Sequence, residues 1–134
     1  MGWDSRSDEM GRLQLHYRAL EGDLAGADAC LATGDEPTAA DVDGRTPLHF
    51  AAQGQHPDLV RLLIAAGAAV DARDRYGNSP LFVAVFNSRG TGETIAALLT
   101  AGANADILNN SGVSPRILAG RIGNYDVEQF IPTD

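Results

Sequence analysis

Apolar residues in this chain come in short bursts separated by stretches rich in glycine, charge and turn formers, and the bursts have helical spacing. Leu48, Ala51 and Ala52 share one face of a short helix, with alanines small enough to let a neighbouring helix approach closely. A second burst, Leu59, Val60, Leu62, Leu63 and Ile64, starts near Pro57-Asp58 and stops at Gly67, where a residue without a Cβ tolerates a left-handed cap. Its later counterpart runs from about Glu93 to Ala101. Thr46, Ser79 and Ser114 each stand directly before a proline. The hydroxyl can accept from an orphan amide at a helix start and the proline suits the first helical position, so each pair opens a helix. The stretch from Ala68 to Asn78 predicts a projecting turn, and no stretch reads as a conventional strand.

The bursts are periodic. Asp41-Val42-Asp43-Gly44-Arg45-Thr46-Pro47-Leu48-His49-Phe50-Ala51-Ala52 recurs 33 residues later as Asp74-Arg75-Tyr76-Gly77-Asn78-Ser79-Pro80-Leu81-Phe82-Val83-Ala84-Val85, and again 35 residues on from Asn109 to Gly120. Going back by 33, Asp8, Gly11, Arg12, Leu15, His16 and Ala19 fall in the same register, and Gly34, Gly67 and Gly102 each end a small-residue helix tail. The repeats are 8–40, 41–73, 74–108 and a short 109–134, with 1–7 a frayed extension in which Trp3 can pack on the first repeat. A pair of helices of about ten residues cannot bury its own apolar face, so stability has to come from stacking the units into a continuous core.

The unbroken Thr-Pro-Leu-His-x-Ala-Ala from Thr46 to Ala52, with the period matching at both landmarks, resembles the ankyrin-repeat family over nearly the whole chain. The first repeat departs from the pattern with Leu13-Gln14 in place of Thr-Pro, and the last has Ile117 for His and stops early, as end repeats do. The resemblance implies an all-α solenoid of about four helix-turn-helix repeats. Its projecting turns and first helices would form a concave binding face and its second helices a convex back. It also implies a structural role for His16 and His49, hydrogen-bonded to turn backbone, and a similar one for His56. In register, the partner-binding residues are Glu9, Arg12, Glu21, Asp43, Arg45, Gln53, Arg75, Tyr76, Asn78, Phe86, Asn87, Arg89, Asn110 and Arg121. Aromatics and arginine dominate interface hot spots, which singles out Tyr76, Phe86, Arg45 and Arg75. Phe86 aligns with Gln53, and a ring there is either a local packing residue or a binding anchor.

Composition narrows the partners. The 134 residues suit one domain, and a net charge of −8 argues against nucleic acid, whose phosphates demand clustered cations. Residues 1–43 hold ten acids against three arginines, a balance of −7, so the acidity belongs to the N-terminal third. It either keeps an end repeat in solution or steers a partner with a basic surface. All ten basic residues are arginine, a bias expected of a GC-rich bacterial genome. No run of signal-peptide or membrane-span length occurs, so a cytoplasmic protein with no membrane partner, monomeric when free, is expected.

The search for chemistry returns little. A zinc site needs three or four convergent ligands, and none stand at ligand spacing. Cys30 aligns with Leu63 and Leu98, which predicts a small core residue and no nucleophile. Arg89-Gly90-Thr91-Gly92-Glu93 looks like a phosphate loop only superficially, because such a loop needs lysine and the chain has none. That segment carries the insertion that lengthens the third repeat, either a tolerated loop or one shaped for a partner. No enzyme and no cofactor are therefore expected. The expected function is a protein-protein interaction module. The end of the chain and the insert resemble small free-standing bacterial ankyrin proteins, some of which are immunity proteins that neutralise a cognate toxin. The alternative is a scaffold or assembly subunit for another enzyme or transport component.

Overall fold

A computed structural model describes residues 7–122 and 127–132. Among these residues the elements are α1 (Gln14–Glu21), α2 (Leu24–Ala32), α3 (Pro47–Gln53), α4 (Pro57–Ala65), α5 (Pro80–Phe86), α6 (Glu93–Thr100), α7 (Pro115–Arg121) and a 3-10 turn at Glu128–Phe130. There is no strand among them, so the class is all-α as the periodicity predicts. The expectation for Trp3 and the tail residues Asn124, Tyr125 and Asp126 lie outside the described residues.

The three hydroxyl-proline helix starts are built as the sequence suggests. The Thr46, Ser79 and Ser114 hydroxyls accept from the amides of His49, Phe82 and Ile117 at 3.4, 3.2 and 3.1 Å. In α1 Leu13 replaces the hydroxyl, and an imidazole caps the backbone instead, with His16 Nδ1 accepting the Leu13 amide at 2.9 Å. His49 Nδ1 accepts the Thr46 amide in the same way at 3.1 Å. At the other ends, Gly67 has φ +109° and the Ala68 amide reaches back to the Leu63 carbonyl at 2.9 Å, a Schellman closure that recurs at Gly34 and Gly102.

The helices stack in two rows, α1-α3-α5-α7 in front and α2-α4-α6 behind, with each helix packed on its neighbours in the row. The core lies between the rows. Leu15, Leu48 and Leu81, 33 residues apart, are fully buried from the front, and Leu59, Val60, Leu63, Ile95 and Leu98 from the back. Each such leucine or isoleucine contributes about 1.5–3 kcal/mol over an exposed one. Behind α7 no α-helix follows among the described residues; Val127 and Ile131, flanking the 3-10 turn, are buried there instead.

Cys30 is not the core residue its alignment predicts. Leu63 and Leu98 are fully buried, whereas Cys30 is only partly so, and in α2 Ala27 alone is buried. The physical reason is position: α4 is covered by α2 on one side and α6 on the other, while α2 packs on α1 and α4 with no helix beyond it among the described residues.

The turns form a third row. In all four, an Asp or Asn side-chain oxygen accepts two backbone amides, two and four residues on, at 2.9–3.0 Å: Asp8, Asp41, Asp74 and Asn109. One backbone bond ties each turn to the next, from Val42 to Met10, Arg75 to Asp43 and Asn110 to Tyr76. Histidine adds a second tie. His16 Nε2 reaches the Ala39 and Arg45 carbonyls at 3.0 and 3.2 Å, and His49 Nε2 reaches Asn78 at 2.9 Å. Burial lowers the pKa of both imidazoles, only partly offset by those carbonyls, and keeps them neutral. His56 ties the back row to the front: its Nε2 donates to the Leu20 carbonyl at 2.9 Å, and its ring lies where side chains on Gly22 or Gly54 would be.

Candidate functional site

The turn row and the exposed ends of the front helices make one continuous face, and the side chains on it sort into two groups. The first lies between α3 and α5. Arg45, Gln53, Asn78, Phe82, Phe86 and Asn87 surround a depression of about 330 Å³. Phe86 stands on its rim at 68% exposure, so the ring packs on little within the chain. The second lies at the turn tips. Arg75 reaches Asp43 at 3.1 Å and lies 5.3 Å from the centre of the Tyr76 ring, Asn110 donates to the Arg75 carbonyl at 2.9 Å, and Tyr76 remains 52% exposed. Beside it Val42 and Met10 are exposed on adjoining turns.

The remaining predicted residues stand apart from these groups. Arg12 is committed within the chain, bonded to the buried carboxylate of Asp41 at 3.0 Å and lying 5.1 Å from the Phe50 ring centre. Burial opposes ionisation of Asp41, but the Arg45 and Asp43 amides and the Arg12 guanidinium outweigh it and hold the carboxyl below its ordinary pKa. Glu21 pairs with Arg18 at 2.8 Å at the end of α1, while Glu9 is exposed at the first turn. Arg89 is exposed in the insert, with φ +50°, and Arg121 is exposed at the end of α7.

Sequence reasoning missed Phe82. It occupies the place of His16 and His49 in the repeat, so the third repeat has a phenyl ring where its predecessors have a backbone-bonded imidazole. That break in the pattern was the available signal, and the ring lines the depression between α3 and α5. Chemistry of another kind is not assembled: among the described residues no group of three or more His, Cys, Asp or Glu side chains could hold a metal ion. No helix there is long and apolar enough to cross a membrane.

A family model described as ankyrin repeats, in three copies, matches residues 15–109. The chain belongs to the ankyrin-repeat family. Its ankyrin repeats indicate a protein-protein interaction module, and the family is typically non-catalytic. Among its relatives, serine/threonine-protein kinase 12 of Arabidopsis thaliana is 40% identical over 57% of this chain and 17% of that protein. An ankyrin repeat-containing protein of Schizosaccharomyces pombe is 43% identical over 40% of the chain and 26% of that protein. Protein PhlB of Serratia liquefaciens is 36% identical over 81% of the chain and 47% of its own length. The ankyrin chain thus spans less than half the length of each of these relatives.

Proposed function

We propose that this ankyrin domain binds a partner protein through the face formed by its turns and front helices, with Phe86 and Tyr76 as anchors. The observation that carries the reading is the exposure of these two rings, 68% and 52%, on one face and beside a depression. A ring that packs on little within its own chain keeps its apolar surface available for a partner, and aromatics are the commonest hot-spot residues.

The partner has a basic surface. The N-terminal third carries −7, and a charge of that size acts over a Debye length whether or not single carboxylates such as Asp43 and Glu21 are locally paired. A toxin that acts on an anionic substrate has such a surface, and the sharper form of the proposal is that the domain is an immunity protein covering it. Anchors and steering charges leave different kinetic signatures. Tyr76→Ala with Phe86→Ala should chiefly speed dissociation, whereas neutralising Glu9, Glu21 and Asp43 should slow association and flatten its salt dependence. Co-expression with the product of the adjacent gene tests the immunity form. A product that is harmless alone, or that stays toxic despite abundant folded ankyrin domain, removes it and favours the scaffold reading.

A further inference from the structure

The depression between α3 and α5 differs from the rest of the turn row in having hydrogen-bonding groups to spare. Along that row the other arginines hydrogen-bond within the chain: Arg12 bonds Asp41 at 3.0 Å, Arg73 donates to the Leu108 carbonyl at 2.9 Å, and Arg75 bonds Asp43 at 3.1 Å. Arg45 is the exception. In register it should grip Asp74 as Arg12 grips Asp41, yet the ion pair stands at 3.6 Å, and among the described residues the buried Arg45 Nε and Asp74 Oδ2 have no hydrogen-bond partner. The Asp74 carboxylate lies at the Nε edge of the guanidinium, and Asp74 Oδ1 is already taken by the Tyr76 and Asn78 amides. The two terminal nitrogens of Arg45 therefore keep their donors.

The neighbouring groups complement that fork. Gln53 makes no side-chain hydrogen bond among the described residues, and Asn87 spends its amide nitrogen on the Val83 carbonyl at 2.9 Å. Asn78 Oδ1 is occupied by Asn109 at 2.8 Å. What remains is a guanidinium fork, the free Gln53 carboxamide and the Asn78 amide nitrogen next to two phenyl rings, Phe82 and Phe86. A planar fork matches a carboxylate better than any neutral acceptor does, and the rings match an apolar side chain adjoining it.

We propose that this depression receives an acidic side chain of the partner, its carboxylate on Arg45 and Gln53 and an adjacent apolar residue against Phe82 and Phe86. The inference rests on the front face being the binding face, and it adds a chemical demand opposite in sign to the acidic N-terminal third. The partner is then bipolar, basic toward the first repeat and bearing an aspartate or glutamate beside an apolar residue opposite the middle of the stack.

The probes are two blocked dipeptides, acetyl-Phe-Glu-amide and its neutral isostere acetyl-Phe-Gln-amide, and acetyl-Phe with a free C-terminal carboxylate. Binding is read from NMR shifts of the Arg45 Nε–H and the Gln53 and Asn87 carboxamides. The Glu peptide should bind about fivefold tighter than the Gln peptide, the margin of a charge-assisted over a neutral hydrogen bond. Arg45→Gln, which loses both charge and fork, should remove most of that margin, and Arg45→Lys, which keeps the charge and loses the fork, only part of it. Phe86→Ala should weaken both peptides equally, and melting curves identify any variant that fails to fold. Equal binding of the Glu and Gln peptides, or no saturable shift at these groups, overturns the proposal; so does tighter binding of the free C-terminal carboxylate. The two readings separate in partner binding itself. If Phe86→Ala weakens the partner and Arg45→Gln does not, the carboxylate site fails and the binding face stands; if neither does, nor Tyr76→Ala, the face itself fails.

Discussion

Leu63→Ala tests whether stacking, and not the isolated helix pair, holds this domain together. The side chain is fully buried in α4, which lies between α2 and α6. Truncation removes its transfer free energy and leaves a void that helices on both sides hold open, so the loss should be about 2–5 kcal/mol and in the upper part of that range. That is a large share of the ~5–15 kcal/mol that a typical domain has in total. Cys30 occupies the same register one repeat earlier but is only partly buried, so Cys30→Ala should cost less than about 1 kcal/mol. Urea titrations followed by far-UV circular dichroism measure both. Their slopes need comparing as well as their midpoints, because a repeat array that loses cooperativity also changes slope. A Leu63→Ala midpoint equal to the parent's, or a Cys30→Ala loss as large as that of Leu63→Ala, would refute the reasoning.

Three further outcomes are expected. His16 and His49 have folded pKa values below the unfolded value near 6.5, so the unfolded chain takes up protons first. The stability they contribute is full above about pH 6.5 and is lost as pH falls below it; a urea midpoint that holds or rises from pH 7.5 to 5.5 would contradict this. Gly54→Ala should destabilise by about 1–3 kcal/mol although φ is an ordinary −77°, because its Cβ would lie 2.6 Å from both the Leu20 carbonyl oxygen and the His56 ring. Thermal melts showing the small gain usual for glycine to alanine would remove that contact from the account. Purified protein should contain no stoichiometric metal by elemental analysis, and His16→Gln and His49→Gln should lower its stability only. Bound zinc lost in either variant would reassign those imidazoles.

Much of the fold could be read from residue order, because each repeat writes its own local instructions. Hydroxyl-proline pairs at Thr46, Ser79 and Ser114 open helices through bonds made within a few residues, and Gly34, Gly67 and Gly102 close them by backbone conformation alone. Such short-range chemistry needs no knowledge of the rest of the chain. The period then says which elements are equivalent, and with it which side chains face the turns. What periodicity cannot state is how two equivalent positions differ in surroundings. Cys30 and Leu63 are identical in register, and only the stack decides that one has a helix row on one side and the other on both. Arg12 and Arg45 are equivalent too, yet one is locked on its carboxylate at 3.0 Å and the other stands off at 3.6 Å beside an open depression. That depression joins residues of two repeats, and Phe82 enters it from a place where the pattern elsewhere puts histidine. Sequence by itself determined the repeat and its helices; tertiary packing decided which side chains on the front of the stack keep donors and rings unspent, because a hydrogen bond or a covered surface depends on distances that only the assembled stack sets.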